Sequence, residues 1–110
     1  MARRRSKVDA NQGVIVDALE AMNASVQSLT GVGEGCPDLL VGHKGFICPS
    51  CKKWSPVLMN YLMEVKDESE YSWPAHIKLS PKQKEWHVKW RGQKIVVLNS
   101  IEAVKVLRLP

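Results

Sequence analysis

The stretch Asn60-Tyr-Leu-Met-Glu-Val-Lys66 constrains the fold more than any other, because its side chains alternate with a period of two. The strand this predicts carries Tyr61, Met63 and Val65 on one face and Leu62, Glu64 and Lys66 on the other. Glu64 and Lys66 then lie about 6–7 Å apart along it. A second segment, Asp38-Leu-Leu-Val41, is continuously apolar after its Asp, as expected of a strand covered on both faces, and Gly42 is read as its end. A sheet that takes Asp38, Glu64 and Lys66 inside needs a reason for them. Buried carboxylates are strongly unfavourable unless they are paired or hold a metal.

The rest of the chain supplies elements to cover such a sheet. Asp9 to about Ala24 reads as a first helix, with Asp9 as N-cap, Gln12 completing a capping box, and Ile15, Leu19 and Met22 on one face. Ser25 to Leu29 alternates like a strand and leads into the glycine-punctuated turn 31–37. Residues 43–56 read as an excursion between strands, and the aperiodic stretch 67–78, with Pro74, as a mobile loop. Ser80-Pro81-Lys-Gln83 opens a second helix reaching about Trp90, with Ser as N-cap, Pro at N1 and Gln at N3. Lys94 to Leu98 is a strand, and Ser100 to about Leu107 a closing helix. The order α, β, β, β, α, β, α predicts an α/β fold around a small mixed sheet. One domain over 9–110 follows, preceded by a basic flexible arm over 1–8 and interrupted by an insertion at about 44–59.

Sixteen Lys and Arg against eleven Asp and Glu give a formal net charge of +5, which favours a polyanionic partner, nucleic acid first. No stretch approaches the roughly 18 apolar residues of a membrane span, and the basic start lacks the apolar run of a signal peptide. Three Cys without a secretory signal argue for reduced thiols or a metal site in a reducing cytoplasm rather than a disulfide framework.

Asp38 on one strand and Glu64 on the next form a hard-oxygen site suited to Mg²⁺ or Mn²⁺, to which the Val65 carbonyl adds a third ligand. Lys66 beside them can orient an attacking water or offset charge on a phosphodiester, so the set suits metal-assisted phosphodiester hydrolysis. A structural ion pair near a sheet edge is the alternative use of the same residues.

Gly35-Cys-Pro-Asp-Leu-Leu-Val-Gly42 followed by Leu62-Met-Glu-Val-Lys-Asp67 resembles the PD-(D/E)XK nuclease signature, with Pro37-Asp38 and Glu64-Val65-Lys66 as its halves. The flanks Asp9-Ala-Asn-Gln12, Leu79-Ser-Pro-Lys-Gln83 and Trp90-Arg-Gly92 are similar to those of small phage- and prophage-borne members of its VRR-NUC branch, so the resemblance spans residues 9 to 107. It implies a restriction-endonuclease-like core and a metal-dependent endonuclease acting on DNA, with a preference for branched, flapped or junction structures. It also implies that Asp38 and Glu64 bind the ion, that Lys66 acts on the water and that Gln83 reaches the site. Helical spacing agrees on Gln83, since Gln83, Trp86 and Trp90 share a face that would pack on the sheet; a capping-box role for Gln83 is equally open. Asp9 and Gln12 contribute from the first helix in the same reading, or serve only as its cap. By analogy the chain is a homodimer, in the host cytoplasm if phage-encoded.

The insertion departs from that pattern. Cys48-Pro-Ser-Cys51 is half of a zinc knuckle, and a closed Zn²⁺ site needs four ligands, for which Cys36, His43 or a second copy of the pair are the candidates. A plain hairpin with two free thiols is the alternative. Arg3, Arg4, Arg5 and Lys7 in the arm, with Lys52, Lys53, Lys82 and Lys89, are the expected phosphate contacts. The paired Trp86 and Trp90 are expected to be the buried stripe of the second helix rather than base-stacking residues. The rival function is a non-catalytic DNA-binding or assembly module in which the insertion holds zinc.

Overall fold

The structure, a computed structural model, describes residues 7–48, 50–67 and 78–107. Arg3, Arg4 and Arg5 of the expected arm, and His76 and Pro74 of the expected loop, lie outside them. The elements are α1 (Lys7–Ala21), β1 (Ser25–Ser28), β2 (Leu39–Ile47), β3 (Trp54–Val65), α2 (Pro81–Lys89), β4 (Lys94–Val97) and α3 (Ser100–Leu107), in the predicted order. They form one mixed sheet, β1-β2-β3-β4, antiparallel except that β4 runs parallel to β3.

The period of two in β3 decides the layers. Met63 and Val65, with Leu39 and Val41 of β2 and Val97 of β4, meet Ile15 and Leu19 of α1 and Ala103 and Leu107 of α3 in the core. The opposite face of β2 and β3 carries Asp38, Leu40, Leu62, Glu64 and Lys66, and α2 lies over it, tied by its Gln83 to Lys66. α1 ends where Asn23 turns left-handed (φ 65°) and the Ala24 N–H returns to the Leu19 carbonyl, a short polar residue doing what glycine does at a helix C-terminus. No helix among the described residues is long and apolar enough to cross a membrane.

Four sequence expectations are corrected. α1 begins at Lys7, so Asp9 lies inside its first turn and does not cap it, and Lys7 and Val8 are helical rather than part of an arm. Gly42 does not end β2: it pairs with Asn60 and Ser25 in mid-strand, and the strand continues to Ile47. The excursion after it is therefore largely strand, because β2 and β3 run on together as a long hairpin with a bulge at 44–46 and a tip at 48–53. Finally, α2 has no buried residue: Trp86 is half-buried and Trp90 is 43% exposed, the two rings stacked on each other 4.9 Å apart. Its recorded polar tie to the end of β3 is the Gln83–Lys66 hydrogen bond, and the two tryptophans do not form a buried stripe.

Candidate active site

Asp38 precedes β2, where its carbonyl accepts the Leu29 N–H and its Oδ2 accepts the Val65 N–H at 2.8 Å. The second bond crosses to the neighbouring strand and fixes the Asp38 carboxylate against the end of β3. A residue's N–H and C=O leave a strand on the same side, so the Val65 carbonyl is directed to the Asp38 side as well. Glu64 is 2% exposed and hydrogen-bonds Asp38, yet its Oε1 is buried with no partner among the described residues. Burial above all, then the hydrogen bond to Asp38 and the Asp38 charge, push the Glu64 carboxyl up to about 9, with Lys66 pulling the other way. No third His, Cys, Asp or Glu side chain joins these two in a metal-binding group among the described residues.

Lys66 follows β3, and its backbone is pinned twice: its N–H donates to Val97 at 3.0 Å, and its carbonyl accepts Asn11 Nδ2 at 3.0 Å. The same Asn11 nitrogen donates to the Leu98 carbonyl, so one α1 side chain clamps the ends of β3 and β4 together. The sequence reading looked to Asp9 and Gln12 for the contribution of helix one. Asn11 is the α1 side chain that reaches the strand ends, one turn before Ile15 on the helix face that also carries Leu19. Gln12 is half-buried in α1 and makes no hydrogen bond to the site among the described residues, and the Asp9 side chain lies outside what the structure describes.

Gln83 resolves the choice left open by the sequence in favour of both roles. Its Oε1 accepts the Ser80 N–H at 2.8 Å while its own N–H donates to Ser80 Oγ, completing the capping box, and the same Oε1 accepts Lys66 Nζ at 2.9 Å. Gly35 permits this approach. It sits at φ +79°, and a Cβ there would lie 2.2 Å from the Lys82 carbonyl oxygen, so only glycine lets the turn 31–37 pass under the first turn of α2. One turn on from Gln83, His87 Nε2 is buried without a partner among the described residues, and burial, then the charges of Lys94 and Lys66, hold its imidazole below the usual range.

The zinc candidates are not brought together. Cys36 is beside the carboxylates, where burial and the Glu64 and Asp38 charges raise its thiol. His43 points from β2 toward Ala18, Met22, Ile101 and Val104 on the helical face. Cys48 and Cys51 stand at the hairpin tip, roughly 30 Å from Asp38 along an extended strand. Of the expected phosphate contacts, Lys82 and Lys89 are exposed beside Glu34 (3.9 Å) and Glu85 (2.7 Å), and Lys52 and Lys53 are exposed at the tip.

Comparison with solved structures finds similarity to a chain described as a VRR_NUC domain, with TM-score 0.57 and 27% identity over 93% of this chain and 95% of that one. No family model and no curated protein matches the chain. In fold and element order the chain is therefore similar to a VRR_NUC domain, a branch of the PD-(D/E)XK nuclease superfamily, with Asp38 at the head of β2 and Glu64 and Lys66 at the end of β3.

Proposed function

We propose that the chain is a nuclease that hydrolyses DNA phosphodiesters with Mg²⁺ or Mn²⁺, through Asp38, Glu64 and Lys66. The observation that carries the reading is Glu64 Oε1, a buried carboxylate oxygen with no partner among the described residues, beside a second carboxylate. Leaving such a group unsatisfied costs about 1–3 kcal/mol, more when it is charged, and a hard divalent cation satisfies it. The donors fit the ion, since two carboxylates and the Val65 carbonyl are all oxygen, and Mg²⁺ keeps several waters rather than demanding a full protein cage. Asp38, Glu64 and Val65 would hold it, and when bound it stabilises negative charge on the phosphodiester and acidifies water.

The chain's own residues do the rest. Asp38 is fixed against the end of β3 by the Val65 N–H and beside Glu64 by their hydrogen bond, so its carboxylate is held in place for the ion. Lys66, braced by Gln83, orients the attacking water and offsets charge on the phosphoryl oxygens. Gln83 is a positioning residue in this scheme. The net charge of +5 suits a DNA substrate. Resemblance to the VRR-NUC branch supports branched, flapped or junction DNA as the preferred form and a homodimer as the working assembly.

The test is incubation of the protein with labelled duplex, flap and four-way-junction DNA in Mg²⁺ or Mn²⁺ beside Glu64→Ala. Cutting that needs the metal and disappears in the variant is the expected result, and its ranking of substrates reads out selectivity. Binding without cutting on every substrate would replace the nuclease with a non-catalytic DNA-binding module.

A further inference from the structure

β1 pairs with β2 only over 39–42, and β4 with β3 only over 62–65. Beyond them, residues 43–48 and 50–59 pair only with each other, with no further strand beside them among the described residues, and a two-stranded ribbon is marginal in water by itself. The ribbon nevertheless exposes Trp54 (45%), Val57 (44%) and Leu58 (78%). At its tip, the Cys51 N–H donates to Cys48 Sγ at 3.5 Å, the Lys52 N–H to the Cys48 carbonyl at 2.8 Å, and Lys52 turns back left-handed (φ 61°).

We propose that Cys48 and Cys51 form half of a tetrahedral zinc site, completed by the same two residues of a second copy of this chain, so that one Zn²⁺ clamps two hairpin arms together. Two thiolates leave a structural zinc two ligands short. Within the chain, Cys36 lies near the opposite end of β2 and His43 is about 15 Å back along that strand, on its helical face. A two-fold axis through the tip supplies the missing pair from identical residues, as isologous contacts require. Charge agrees: Zn²⁺ with four thiolates carries a net −2, and Lys52 and Lys53 from two copies place four ammonium groups around it. Trp54, directly beside the tip, is the exposed apolar side chain next to such a contact. Four thiols release four protons as the metal binds, and no oxidant is involved.

The proposal is independent of the nuclease reading, and its test uses no DNA. Reduced, metal-stripped full-length protein is titrated with Zn²⁺, following bound metal and particle mass by light scattering, with Co²⁺ as a spectroscopic probe. Expected are one zinc per two chains, a doubling of mass on zinc addition, and a tetrathiolate cobalt spectrum, all lost in Cys48→Ser and in Cys51→Ser and kept in Cys36→Ser. No zinc uptake, one zinc on each monomeric chain, or half-stoichiometric binding that survives Cys51→Ser would each overturn it.

Discussion

Glu64 carries the largest electrostatic strain of any single residue described. Its carboxyl titrates near 9 in the folded chain against an ordinary 4.5, so between those values the folded protein holds a proton that the unfolded chain has released. Unfolding then releases a proton, and stability falls as pH rises through that window, by at most about 1.4 kcal/mol per pH unit for one group. The contribution is complete below about 4.5 and gone above about 9. In protein freed of divalent ions, the urea midpoint should therefore drop between pH 5 and pH 9, and Glu64→Gln should flatten the curve. An equal slope in the variant would mean that Glu64 is not the group responsible.

At the scale of elements, α2 depends on how closely the turn 31–37 can approach it. Gly33 and Gly35 both have positive φ, but a Cβ on Gly33 meets nothing within 4 Å, whereas one on Gly35 runs into the Lys82 backbone. Each Gly→Ala change carries the strain of a left-handed alanine, more than about 1 kcal/mol where the backbone cannot relax. Only Gly35→Ala should also push away the first turn of α2, and with it Gln83 from Lys66. Thermal melts and cleavage rates of the pair separate the two effects: Gly33→Ala should lose stability alone, and Gly35→Ala should lose cleavage as well. Equal cleavage in the two variants would show that α2 does not position Lys66.

Across the whole molecule, the apolar core and the carboxylate cluster sit on opposite faces of one sheet. The apolar core lies between the sheet and α1 with α3, and the carboxylates face α2, which buries no residue of its own. Leu19→Ala should therefore cost about 2–5 kcal/mol, as for a fully buried leucine, seen as a shift in the denaturant midpoint. Cleavage per folded molecule should hardly change. A large fall in that specific activity would show that the helical layer reaches the site by more than the Asn11 clamp.

The sequence by itself determined the element order and the two faces of β3, and singled out Asp38, Glu64 and Lys66, which the fold brings together, because strand periodicity, helix caps and the Pro37-Asp38 and Glu64-Val65-Lys66 pairings are local signals carried in a few adjacent positions. Ser80-Pro81 and Gln83 announced α2 in the same way. Only the tertiary structure decided that Gly42 lies in mid-strand, since a glycine continues a ladder when its neighbours pair across it, and those neighbours are distant in sequence. It likewise decided that Asn11 is the α1 side chain that ties β3 to β4, that one Gln83 oxygen serves both the cap and Lys66, and that Gly35 makes room for the Lys82 backbone. Each of these is a contact between segments far apart in the chain, set by packing distance, which no local pattern encodes.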